Sequence, residues 1–224
     1  MTYRALTRNT VITFLCVILA IGFEYSGLDL TIEHLFYDET LHTWPYKKLF
    51  ITSSILHIGG KYFVIGLSVS VFLLFIASFF FSQLRKFSKH ILFILIAGLA
   101  SSLVIGILKN ITHIHTPWHL MIFGGDMPYI RIFDRVPSNI PVGHAFPGGH
   151  SGSGFALLSL YFGLAELDSR YRYHALLFAL VIGITFSIMQ EVRGAHFISH
   201  DMFSFAICWA TCCVLSLVFF GLKK

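Results

Sequence analysis

Phe146-Pro147-Gly148-Gly149-His150-Ser151 stands where a long polar loop gives way to an apolar run. Proline fixes φ and glycine tolerates positive φ, so the stretch suits a tight turn into a helix. The first N–H groups of a helix lack intrahelical acceptors and attract anions. His150 adds a titratable group at the same place. Turn, amides and imidazole together suggest a phosphate site at the mouth of a helix. The plainer alternative is a glycine-rich loop with a surface histidine.

The apolar run that follows, 152–167, is one of six, the others being 10–28, 62–84, 91–108, 175–189 and 202–222. Most approach the ~20 residues needed to cross a bilayer. The runs at 152–167 and 175–189 are short and need neighbours to cover their polar ends. The composition agrees, with 56% hydrophobic and only 12% charged residues, against roughly 25% charged in a soluble domain. The net charge of +5 is no nucleic-acid signal, because the basic residues are scattered between apolar runs. They read as topology determinants. Cys16, Cys208, Cys212 and Cys213 all lie inside apolar runs and read as small membrane-helix residues, not as a disulfide or zinc framework. Basic residues before the first run mimic a signal peptide, but no small-x-small cleavage site follows, so a retained helix is expected.

The expectation is a single all-α domain spanning 1–224, an integral membrane bundle of six helices. Arg4, Arg8, Arg85, Lys86, Lys89, Arg170, Arg172, Lys223 and Lys224 bias one side toward the cytoplasm and place both termini there. Segments 29–61, 109–146 and 190–199 then face outward. Within the first, Trp44 and Tyr46 suit the headgroup level, and 51–58 has the spacing of an interfacial helix.

The polar residues of interest gather at the outer ends of runs three to six: Lys109, His150, Arg193, His196, His200 and Asp201. Ionisable groups at membrane depth are costly and default to functional candidates. Singly, Lys109 reads first as a snorkelling side chain at a helix end, and Arg193 can be read the same way. His196 and His200 have an i, i+4 spacing compatible with zinc, but no third ligand accompanies them. His113, His115 and His119 have mixed spacing. No metal or other cofactor is expected. Taken together, two cations, a glycine turn and two histidines suit phosphoryl transfer through a phosphohistidine. Cations and amides hold the phosphate oxygens. One histidine attacks phosphorus, a second protonates the leaving oxygen, and a further group orients the nucleophile.

These segments resemble the type 2 phosphatidic acid phosphatase (PAP2) superfamily, whose members read K-x6-R-P, P-S-G-H and S-R-x5-H-x3-D. Here the first motif is Lys109, six residues, then Thr116-Pro117. The second is Pro147-Gly148-Gly149-His150. The third aligns as Arg193-Gly194-Ala195-His196-Phe197-Ile198-Ser199-His200-Asp201. The resemblance covers roughly 109–201 and implies a membrane-embedded helical bundle. By carry-over Lys109, Gly148, Gly149 and Arg193 would bind phosphate, His150 would be the general acid and His196 the nucleophile. His200 or Asp201 would orient the nucleophile, His200 if a helix already begins at His196 and Asp201 if it begins later. The chain departs from the family at Thr116 (Arg in the family), Gly148 (Ser), Gln190 (Arg) and His200 (Asp). Arg131 and Arg135 are candidates for the missing cation, alongside a plain solvated role.

The implied activity is that of a metal-independent lipid phosphatase of the bacterial inner membrane, with its site on the periplasmic side. Its substrate would be a phospholipid or glycolipid phosphate: lipid A, undecaprenyl diphosphate or phosphatidylglycerol phosphate. No nucleic-acid or obligate protein partner is evident. Lipid-to-lipid phosphotransfer is an alternative within the same chemistry. A transporter with a His-rich outer rim is the rival of another class, and the near absence of polar residues along the runs counts against it.

Overall fold

The computed structural model describes residues 1–223, and these contain helices and no strand beyond isolated bridges. Lys224, counted above among the cytoplasmic basic residues, lies outside the described residues. Helix α1 (Tyr3–Ser26) is started by the Thr2 hydroxyl, which accepts from the Ala5 N–H at 3.2 Å. It stops at Gly27, whose φ of +81° is the left-handed conformation that ends helices. Helix α2 (Leu28–Glu33) follows directly.

The next helical element differs from expectation. A π-helix, Ile51–Gly59, runs without a break into α3 (Gly60–Phe80), giving one helix of 30 residues. Gly59 and Gly60 both keep right-handed helical angles, so the glycine pair does not interrupt it. That length exceeds the ~30 Å hydrocarbon core at ~1.5 Å per residue. Upright, such a helix reaches past the hydrocarbon core into the headgroup region, and tilting shortens that excess.

Helices α4 (Ser82–Arg85), α5 (Ser88–Lys109), α6 (Gly149–Phe155), α7 (Leu158–Glu166), α8 (Arg172–Glu191) and α9 (Ile198–Phe220) complete the chain. Among the described residues, five helices are long and apolar enough to cross a membrane: α1, the π-helix with α3, α5, α8 and α9. The run at 152–167 is instead two short helices, α6 and α7. Between them the N–H groups of Leu157 and Ser159 reach back only three residues, to Gly154 and Ala156. Glycine weakens helix propensity, and here it permits close packing. A Cβ on Gly154 would lie 2.8 Å from the Gly183 Cα in α8. The α6–α7 pair is covered by α5, α8 and α9. Phe155, Leu158, Tyr161 and Phe162 are buried there with Phe93, Cys208, Trp209 and Cys212 in the main core. Away from this centre, α1 and α3 expose Phe14, Leu19, Phe72 and Phe79, as suits helices facing lipid.

The long loop after α5 is pinned at both ends. Gly143 N–H donates to the Thr112 carbonyl at 3.0 Å, and Ala145 N–H to that of Ile114 at 3.1 Å. The Thr112 hydroxyl donates to the Phe146 carbonyl at 2.7 Å. These bonds bring the Pro147–His150 turn back beside the end of α5.

Candidate active site

Lys109 is the last residue of α5, and its side chain runs past the first residue of α6. A Cβ on Gly149 would lie 3.1 Å from Lys109 Nζ and 3.3 Å from its Cδ. Glycine at this position is what lets the ammonium stand beside the opening turn of α6. Nζ makes no hydrogen bond or ion pair among the described residues, so it is available to an anion.

Gly148, just before α6, is pressed against α9. Its N–H donates to the His200 carbonyl at 3.3 Å. Its carbonyl accepts from Ser204 Oγ at 2.9 Å and lies 3.1 Å from Ser151 Oγ. A Cβ here would overlap the Asp201 carboxylate. The serine usual in the family has no room, and a hydroxyl one turn later takes up the contact: Ser151 Oγ donates to Asp201 Oδ1 at 2.5 Å.

The third motif begins as α8 ends. Gly194 N–H bonds to the Glu191 carbonyl at 2.8 Å and Ala195 N–H to that of Gln190 at 2.9 Å. Gly194 has φ +72°, and a Cβ would overlap the Trp44 ring, so glycine is required both by conformation and by space. The chain reverses, and α9 starts at Ile198. The Ser199 N–H in its first turn donates to Asp29 Oδ1 at 3.1 Å, so a carboxylate from α2 caps α9. Burial pushes the Asp29 carboxyl above its ordinary range, against the opposing pull of that bond.

His196 precedes α9 and is 3% exposed. Burial, reinforced by Lys109 and His200, pushes the titration of its imidazole well below the usual range. Its Nδ1 has no hydrogen-bond partner among the described residues. The His200 ring lies 6.0 Å away at 70°. Because α9 starts after His196, Asp201 was the candidate expected to turn toward it; instead the Asp201 carboxylate faces Ser151 and Gly148. His200 is thus the ring beside His196, while Asp201 anchors the α6 turn.

Arg193 is held by its surroundings. Nη1 donates to Gln190 Oε1 at 2.8 Å and Nε to the Lys47 carbonyl at 3.3 Å. The family's Arg position is therefore occupied by a glutamine that grips the displaced arginine. Arg131 is not at the site: it forms a two-point pair with Asp134 at 2.9 and 3.1 Å and covers Tyr25. Arg135 is exposed. Thr116 Oγ1 is hydrogen-bonded to His119 Nδ1, at 2.9 Å.

His150 faces the π-helix, with Nε2 3.2 Å from the Leu56 carbonyl and its ring 4.8 Å from that of His57. Sequence reasoning missed Lys47 and His57. Lys47 Nζ sits 3.8 Å over the Trp118 ring, and Trp118 N–H bonds to the Gly194 carbonyl at 3.1 Å. The only signals were a basic pair after Trp44 and a lone histidine in an apolar run.

The architecture is that of a multi-pass helical membrane protein with histidines, two cations and a glycine turn drawn together at one end of its helices. The PAP2 superfamily model matches residues 90–224, more than half of the chain, and the chain belongs to that superfamily. Comparison with curated proteins gives no match. Among solved structures, the transmembrane PAP2-type phosphatidylglycerolphosphate phosphatase of Bacillus subtilis is similar, with a TM-score of 0.56 and 19% identity over 92% of this chain and 93% of the other. At that identity the likeness concerns the fold.

Proposed function

We propose that the protein is a lipid phosphatase acting through a phosphohistidine at the periplasmic face of a bacterial inner membrane, both termini lying in the cytoplasm. The observation that carries this reading is Lys109 standing against the Gly148–Gly149 turn, which packs on the start of α9 just after the almost fully buried His196. Lys109, Arg193 and the amides opening α6 hold the phosphate oxygens. A ring nitrogen of His196 attacks phosphorus, forming a P–N bond as the ester P–O bond breaks. His150 gives a proton to the leaving oxygen and later accepts one from the water that cleaves the P–N bond. His200 lies beside the nucleophile, and Asp201 fixes the turn that carries His150 and the amides.

Substrate candidates are lipid A, undecaprenyl diphosphate and phosphatidylglycerol phosphate, the last being what the similar Bacillus protein is named for. The test is phosphate release from each lipid in mixed micelles by the purified protein. We expect release from at least one, surviving a chelator because Lys109 and Arg193 supply the positive charge. His196→Ala should reduce it by at least about 10³-fold, and His150→Ala by about 10²-fold. Full activity of His196→Ala, or release from no lipid, would overturn the reading.

A further inference from the structure

His150 is enclosed by a segment that lies outside the matched family region, which begins at residue 90. The His57 ring packs on one part of its imidazole, centroids 4.8 Å apart and planes at 35°. Phe186 of α8 packs on another, at 4.4 Å and 39°. The Leu56 carbonyl stands 3.2 Å from Nε2. A carbonyl only accepts, so Nε2 carries the hydrogen of that bond and Nδ1 is the nitrogen left for other partners. Gly60 makes the enclosure possible: a Cβ there would come within 2.7 Å of the Phe186 ring and 3.3 Å of His150 Nε2. The enclosing turn is π-helical, a rare form frequent at functional sites. His57 Nδ1 is buried with no partner among the described residues, so hydrogen bonding at that atom does not account for its presence.

We propose that His57 is a positioning residue for proton transfer: with the Leu56 carbonyl it holds His150 Nε2 against the π-helix, leaving Nδ1 to deliver the proton, and its own charge sets how firmly His150 keeps that proton. This rests on the reading of His150 as general acid. The charged groups facing His57 are Lys61 on its own helix, Lys109 at the end of α5, Arg193 after α8, and His150 on α6 when protonated. All are cationic, so any proton on His57 adds to a field that already opposes a proton on His150. Removing that site eases the opposition.

The variants are His57→Phe, which keeps a stacking ring but no titrating group, and His57→Ala, which removes both. The pH dependence of kcat is measured in detergent on protein whose thermal midpoint and elution volume match the parent. His57→Phe should keep KM within about twofold and move the basic limb of the kcat profile upward by about half a pH unit. His57→Ala should make the same move and also lower kcat about tenfold. Histidine NMR, with the His150 resonance assigned from His150→Gln, should show the same displacement of the His150 titration in both variants. An unmoved limb together with an unmoved His150 titration in His57→Phe would overturn the proposal and leave His57 a packing residue. If instead His150→Ala is fully active, it is the general-acid reading that fails, while the NMR titration still decides the coupling of the two rings.

Discussion

Restoring the family's serine at Gly148 should harm the protein. The backbone there (φ −62°, ψ 112°) is open to any residue, so the obstacle is steric. A Cβ would overlap Asp201 Oδ1 and come within 2.5 Å of Ser151 Oγ. Asp201 is 3% and Ser151 0% exposed, and the two share a 2.5 Å hydrogen bond. Making room means turning the carboxylate away. Loss of that buried bond costs about 1–3 kcal/mol, and forcing an extra group into a packed interior costs about 1–3 kcal/mol more. A total of about 2–6 kcal/mol falls on the turn that carries Gly149 and His150. For a chain of this size each kcal/mol lowers the melting midpoint by roughly 2–4 °C. The assay is thermal unfolding in detergent alongside phosphate release, for Gly148→Ser, Asp201→Ala and the double variant. Both stability and turnover of Gly148→Ser should fall. Asp201→Ala should relieve part of the loss, with a coupling of about 1–3 kcal/mol in the cycle. A Gly148→Ser protein as stable and as active as the parent would refute the steric argument.

Arg193→Lys should lower kcat/KM by about tenfold or more, because an ammonium cannot hold Gln190 and the Lys47 carbonyl while also offering a planar fork to phosphate. Unchanged kinetics would mean that Arg193 serves the loop alone. Glu33→Gln should flatten the pH dependence of stability. Burial, with Glu191, Asp29 and Asp201 nearby, holds the Glu33 carboxyl well above its usual range. A raised carboxyl contributes fully below its unfolded value of about 4.3 and loses that contribution as pH rises toward the folded value. Melting scans from about pH 5 to about pH 8 should therefore decline less in Glu33→Gln than in the parent, and an undiminished decline would count against a protonated Glu33.

Much of the bundle was legible because long apolar runs have few alternatives to membrane helices. Lys109, His150, Arg193 and His196 stood out as polar residues at the ends of such runs. What escaped depends on contacts between distant segments. The glycines at 148, 149, 152 and 154 were visible, but the division into α6 and α7 reflects packing against α8, which no local pattern reports. The choice between His200 and Asp201 turned on where α9 begins. It begins at Ile198, yet Asp201 still does not face His196, because Ser151 from another helix claims its carboxylate. The continuity of 51–80 was missed because 51–58 read as a separate interfacial helix, whereas Gly59 and Gly60 carry the helix through to the next run.

Residues before the matched region touch all three motif segments. Lys47 covers Trp118, beside the first motif; the Leu56 carbonyl and His57 hold His150 of the second; Trp44 packs on Gly194 of the third, where the Lys47 carbonyl also binds Arg193 and Asp29 caps α9. A reacting group must be held to within about 0.5 Å by neighbours that are themselves fixed. A helix of seven residues such as α6 cannot supply that alone, since isolated short helices are marginal. The division of labour follows: residues 90–224 carry the proposed reacting groups, and the segment from Asp29 to Gly60 keeps them in place. A substitution there is expected to act on turnover without touching phosphate, and differences in activity between members with the same motifs should be sought in that segment first.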